Sequence, residues 1–177
     1  MGKALIVSDS HGLTAELTEL KRRHGQEVQL QVHCGDSELT ANDQAIEDFL
    51  VVKGNCDYEK SFDQDIVKKF GDLTFLITHG HRYSVKHSLM ALLYRAREVS
   101  AQVVCFGHTH VLGAEMVKNT LFVNPGSLSL PRGRSERTYV ILDIQDSKIE
   151  VRVYDYDKGE LKDLEQIFPL PKKHEWP

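Results

Sequence analysis

Five short polar clusters constrain this chain more than any other feature. Each falls where an apolar run stops: Asp9-Ser10-His11, Gly35-Asp36, Gly54-Asn55-Cys56-Asp57, His79-Gly80-His81 and Gly107-His108-Thr109-His110. Carboxylate, carboxamide oxygen and imidazole suit hard-to-borderline divalent ions such as Mn, Fe, Ni or Zn, and no thiolate cluster competes with them. Residues two apart share a face of extended backbone, so Asp9 with His11, and His108 with His110, are each expected to form a pincer. Glycine beside the ligands permits tight turns and close backbone approach at strand ends. Taken singly, each cluster is more often a turn or a surface histidine. Together, in this order and each after a strand-like run, they read as one dinuclear metal site.

The apolar runs set those clusters in an α/β frame. Residues 4–8 suit a strand buried on both faces, and Leu13, Leu17 and Leu20 then recur at helical spacing to about Arg23, ahead of Gly25. A strand is predicted over 30–34, a helix through 42–49 and a short strand over 50–53. Residues 66–70 and 73–78 flank Gly71-Asp72 as a hairpin. Leu89, Leu92, Leu93, Ala96 and Val99 form the apolar face of a helix over 84–100. Further strands are expected at 103–106, 114–118, 121–124, 138–144 and 149–154. Strand–helix alternation followed by a strand-rich half predicts an α/β core with added antiparallel strands. A chain of 177 residues without low-complexity sequence reads as a single domain over 1–168 with a tail at 169–177, where Trp176 is assigned to surface packing or an oligomer contact.

Composition removes other classes. With 41% hydrophobic and 27% charged residues the chain is ordinary for a soluble globular protein. A net charge of -4 argues against a broad basic footprint for long nucleic acid or an anionic membrane. Cys34, Cys56 and Cys105 are an odd number without CxxC spacing, so neither a disulfide framework nor a cysteine zinc site is indicated. The first apolar run is too short for a signal peptide core or a membrane span. Reduced thiols and that short run favour the cytoplasm.

The order DxH, GD, GN, HGH, GHxH, followed by Asn124-Pro125-Gly126-Ser127, resembles the calcineurin-like metallophosphoesterases over most of the chain. The small size, the Gly54-Asn55-Cys56-Asp57 form and the Asn124–Ser127 stretch are similar to the compact bacterial and archaeal phosphodiesterases of the YfcE-like subgroup. The resemblance implies a four-layer α-β-β-α sandwich. It also implies two divalent ions, Mn first among them with Ni, Fe or Zn as alternatives. One would be held by Asp9, His11, Asp36 and His110, the other by Asp36, Asn55, His79 and His108, with Asp36 as the bridge.

Such a pair, about 3.5–4 Å apart, activates a bridging hydroxide and clamps phosphoryl oxygens during phosphoester hydrolysis. Many phosphomonoesterases of the family carry a His next to the Asn ligand, where this chain has Cys56, a weaker proton donor. Phosphodiesterase activity with little monoesterase activity is therefore expected, on a small phosphodiester or nucleotide-like substrate. Cys56, Asp57 and His81 are the catalytic candidates, with a supporting role the alternative for His81. Asn55 and Arg132 are the substrate-binding candidates. Arg132, Arg134 and Arg137 read more readily as a solvated basic loop than as a phosphate contact. The same ligands would serve a phosphomonoesterase or a nucleotide pyrophosphohydrolase. A scaffold subunit of the retromer complex resembles the subgroup with a degraded ligand set. A homo-oligomer is left open.

Overall fold

The computed structural model describes residues 1–173; Trp176 lies outside the described residues. Two sheets face one another. The first orders its strands β11-β10-β9-β1-β2-β3, with β12 also paired to β10. These are β1 (Gly2–Val7), β2 (Leu30–His33), β3 (Leu50–Val51), β9 (Thr138–Ile144), β10 (Lys148–Asp155), β11 (Gly159–Glu160) and β12 (Gln166–Pro169). The second runs β4-β5-β6-β8-β7, with β4 (Asp65–Phe70), β5 (Leu73–Thr78), β6 (Val103–Cys105), β7 (Gly113–Val117) and β8 (Thr120–Asn124). Helix α1 (Ala15–His24) covers the outer face of the first sheet and α2 (Met90–Glu98) that of the second. This is the four-layer sandwich, with thin helical layers.

The strands alternate side chains between two cores, as a period of two requires. In β1, Ala4 and Ile6 point between the sheets to Val32, Phe75, Ile77, Val103, Cys105, Leu121 and Val140. Leu5 and Val7 point outward to Leu17 and Leu20 of α1. On the far side, Leu76, Val104 and Phe122 pack against Leu92, Leu93 and Ala96 of α2. All these side chains are essentially without solvent exposure. At about 25 cal/mol per Å2 of apolar surface this burial is the main stabilising contribution.

β1 pairs in parallel with β2, and β5 with β6, so the carboxyl ends of these strands open at one edge of the molecule. The hairpin of β4 and β5 turns through Gly71-Asp72 in the expected register, with Phe70 opposite Leu73.

Two helices differ from the sequence expectation. The stretch at 42–49 is only a 3-10 turn, Gln44–Ile46, capped by the Asp43 carboxylate accepting from Ala45 N–H at 2.9 Å. Glu47 is extended and Asp48 has φ 75°, which ends the turn after three residues. The helix expected from 84 begins only at Met90: Ser84, left-handed at φ 52°, ends the 3-10 turn His81–Tyr83, and turns occupy 84–87. Strands β11 and β12 carry little periodic signal and are not foreseen. β12 is placed by pairing: Lys148 lies opposite Pro169, and Leu170 N–H donates to Ser147 C=O at 3.0 Å.

Candidate metal centre

The five clusters leave the ends of β1, β2, β3, β5 and β6; backbone hydrogen bonds lace the first to the second and the fourth to the fifth, and the Asp9, Asp36 and Asp57 carboxylates join the rest by accepting backbone N–H groups. Asp9 N–H donates to Gly35 C=O at 3.0 Å, His11 N–H to Asp36 C=O at 3.0 Å, and Gly107 N–H to His79 C=O at 3.0 Å. The ligand-bearing backbone is not extended, as the spacing argument assumed. Asp9, His11, Asp36, Glu38, His108 and His110 all have positive φ, between 44° and 71°, a region that costs non-glycine residues about 1–3 kcal/mol each. The pincers are built from left-handed turns. Glycine matters most at Gly54 and Gly107: a Cβ on Gly54 would strike the Asp36 carboxylate, and one on Gly107 the Ser8 hydroxyl and Asp9 carboxylate.

Asp9 sits at the centre. Its Oδ2 accepts from the Ser8 hydroxyl and from His108 N–H. Its Oδ1 is buried with no hydrogen-bond partner, 3.2 Å from His110 Nε2 and 3.9 Å from both His11 Nε2 and His79 Nε2. Asp36 Oδ2 lies 3.1 Å from His79 Nε2, which is also 2.9 Å from Asn55 Oδ1.

Three imidazoles are held by their other nitrogen: His79 Nδ1 by Cys34 C=O at 2.7 Å, His110 Nδ1 by Leu130 C=O at 2.7 Å, and His11 Nδ1 by Glu38 Oε2 at 3.0 Å. An N–H donated outward on Nδ1 leaves the Nε2 lone pair for an ion. Potential ligand atoms converge in three groups, Asp9–His11–His110, Asp9–Asp36–His79 and His11–Asp36–Cys56, each within 4.8 Å. The donor set, the outward anchors and the unpartnered Asp9 Oδ1 together fit a divalent cation. His108 completes the rim, its ring 5.1 Å from that of His79.

The electrostatics point the same way. Burial pushes Asp9 and Asp36 up, but the close approach and charge of His110 and His79 outweigh it and hold both carboxyls below the usual range. Burial disfavours a charged His79, yet Asp36 and Asp9 raise its pKa. Positive charge is thus wanted among these carboxylates, and a cation supplies it.

The remaining candidates divide. His81 stands beside the centre, its ring 5.3 Å from His79 and 6.1 Å from His108, and its Nδ1 is buried without a partner. The Cys56 thiol faces His11 and Asp36, and its N–H donates to Asp36 Oδ1 at 2.8 Å. Asp57 does not face the centre with a free oxygen. The residue is 7% exposed, and its carboxylate accepts three backbone N–H groups, from Asp36 at 2.9 Å, Gly54 at 2.7 Å and Glu38 at 2.8 Å. The sequence reading made it catalytic; the structure makes it the clamp between two ligand loops. Arg132 donates its N–H to His110 C=O at 3.0 Å and carries its side chain to an adjacent cleft.

The sequence points to Asn124 and Ser127 as supports of the loop near the site and misses Ser129. Ser127 and Ser129 hydroxyls both donate to Asp9 C=O, at 2.7 and 2.8 Å, and Asn124 Nδ2 binds Gly107 C=O at 3.2 Å. The Asn124–Ser127 stretch thus steadies two strained ligand loops. Glu38 carried no sequence signal.

His33, given no role from sequence, is fully buried. Its Nδ1 accepts from Gly35 N–H at 3.2 Å, so Nε2–H donates to Ser10 Oγ at 2.8 Å. Burial lowers its pKa from 6.5 to about 4. The unfolded chain therefore takes up a proton that the folded chain resists. The stability is whole above about pH 6.5 and is lost as pH falls toward about 4, at up to about 1.4 kcal/mol per pH unit. His33→Gln is expected to flatten that stretch in urea unfolding at stepped pH; an unchanged slope would exclude His33 as its source.

A parallel-cored α/β sandwich whose strand ends gather carboxylates and outward-anchored imidazoles defines a metal-dependent hydrolase class of site. Residues 3–147 match the calcineurin-like phosphoesterase superfamily domain, and the chain belongs to that family. It is 45% identical over 166 residues to the probable metallophosphoesterase YsnB of Bacillus subtilis, covering 94% of this chain and 98% of that one. The crystal structure of a conserved uncharacterized protein and predicted phosphoesterase from Streptococcus pneumoniae superposes with a TM-score of 0.90 at 33% identity, over 95% and 97% of the two chains. Wild-type Vps29 of Entamoeba histolytica, solved complexed with Zn2+, shares the fold at a TM-score of 0.73 and 21% identity, over 95% and 98%.

Proposed function

We propose that this metallophosphoesterase is a phosphodiesterase working through two divalent ions, Mn foremost, in the cytoplasm. The observation that carries the reading is the buried, unpartnered Asp9 Oδ1 between the Nε2 atoms of His11, His79 and His110, with Asp36 alongside. When bound, the ions supply positive charge for the phosphoryl oxygens and acidify a water. The chain's own residues fix the geometry: Asp9 and Asp36 provide the negative charge, the outward anchors set the imidazoles, and Asn55 and His108 stand at the open side. Three free cysteines, two of them buried, are compatible with a reducing compartment, and no helix among the described residues is long and apolar enough to cross a membrane.

Diester preference rests on Cys56. Burial, and then the charge of Asp36, push its thiol up to about 11, so it stays protonated at neutral pH. A thiol is nonetheless a weak hydrogen-bond donor to an ester oxygen, which suits a diester with a good leaving group better than a monoester. Cys56→His is expected to raise p-nitrophenyl phosphate turnover relative to bis(p-nitrophenyl) phosphate by about tenfold or more. An unmoved ratio would count against the assignment.

The direct test is hydrolysis of both esters by chelator-stripped protein with and without Mn. Mn-dependent diester cleavage supports the reading; no activity with any divalent ion would favour a scaffold.

A further inference from the structure

The late start of α2 leaves part of the second sheet's outer face uncovered. A cleft of about 680 Å3 opens there, between the 85–89 segment that follows the His79-Gly80-His81 cluster and the 109–115 segment that follows Gly107-His108. Two of the five ligand clusters thus run directly into its walls. Val85, Leu89, Phe106, Val111, Leu112 and Phe122 make the cleft largely apolar, and its size is that of a small-molecule site.

Polar groups stand at particular places. Thr109 and Asn124, joined at 2.9 Å, lie beside the ligand loop, and Glu115 offers acceptor oxygens along one wall. Lys86 and Arg132 are exposed cations on the rim, and neither pairs with a carboxylate among the described residues. Arg132 N–H donates to His110 C=O at 3.0 Å and Lys86 follows closely on the His81–Tyr83 turn of the fourth cluster, so both cations lie on the metal-centre side.

We propose that this cleft seats the retained arm of the diester, a flat, uncharged ring system of nucleoside size, while its phosphate lies at the ligand clusters under Lys86 and Arg132. The inference rests on the phosphodiesterase reading and adds a substrate class to it. Apolar walls with aromatic edges take the ring, Glu115 accepts from its N–H groups, and the rim cations exclude a cationic headgroup. An acyl chain would lack enclosure in a cleft open to solvent.

The test compares two esters with the same leaving group: thymidine 5′-(p-nitrophenyl phosphate) and methyl p-nitrophenyl phosphate. In both, a water oxygen joins phosphorus as the bond to p-nitrophenolate breaks and one proton is released; only the retained arm differs. The Mn-loaded enzyme should prefer the nucleoside ester in kcat/KM by about tenfold or more. Gly113 lines the cleft, and a Cβ built on it meets nothing within 4 Å, so this position accepts a side chain, and Gly113→Phe, which adds a ring at the cleft wall, should erase that preference. Its melting curve checks that the fold is kept.

A separate readout needs no turnover: methyl NMR shifts of Val85, Leu89, Val111 and Leu112 on adding thymidine 5′-monophosphate with Mg2+, expected in the native chain and absent in Gly113→Phe. Equal preference in native and variant enzyme overturns the inference. If neither ester is cleaved, the phosphodiesterase reading fails, and the methyl shifts alone decide whether the cleft binds such a ring.

Discussion

Asp36→Asn is expected to abolish Mn-dependent hydrolysis of bis(p-nitrophenyl) phosphate, lowering kcat/KM by more than about 100-fold, since outer-shell partners of metal ligands alone cost 10–100-fold. The loss follows from position. Asp36 belongs to two of the three convergent groups, with Asp9 and His79 on one side and His11 and Cys56 on the other. Its Oδ1 is oriented by Cys56 N–H and its Oδ2 faces His79 Nε2. An amide keeps the shape but removes the charge that two ions would share. Metal content by elemental analysis, read beside activity, separates lost binding from lost chemistry. Full activity with both ions retained would remove Asp36 from the centre.

Asp57→Ala is expected to act on stability first. Three backbone N–H groups would be left without their acceptor, and at about 1 kcal/mol or more each the loss is roughly 3 kcal/mol. For a chain of this length that lowers Tm by about 10 °C. Asp57→Asn, which keeps one acceptor oxygen, should fall between the two. A catalytic Asp57 would show the opposite pattern, with activity lost in the Asn variant at unchanged Tm. Calorimetry beside diester kinetics on both variants distinguishes them.

Much of this was legible in the residues. Short apolar runs located β1, β2, β5, β6, β8, β9 and β10, because strands buried on both faces are apolar almost throughout. The ligand clusters stood out because glycine and polar residues ended those runs together. What sequence hid was conformation that depends on neighbours. Left-handed backbone at Asp9 or His110 has no composition signal of its own and is imposed by Ser127, Ser129 and the lacing between loops. The apolar spacing at 84–100 is helical, yet only Met90–Glu98 forms the helix, with a left-handed Ser84 and turns over 84–87 ahead of it. A carboxylate beside a ligand motif looks catalytic until its hydrogen bonds are counted, as Asp57 demonstrates. Strands β11 and β12 are short and half exposed, so pairing with β10 rather than pattern decides them.

The lacing of the ligand loops has a kinetic side. Because Asp9 is bonded to Gly35, His11 to Asp36 and Gly107 to His79 through the main chain, none of these four loops can swing out without breaking a hydrogen bond to the loop it is paired with. Local opening of the centre is then a shared event, with a free energy nearer to that of unfolding than to the fraying of a surface loop.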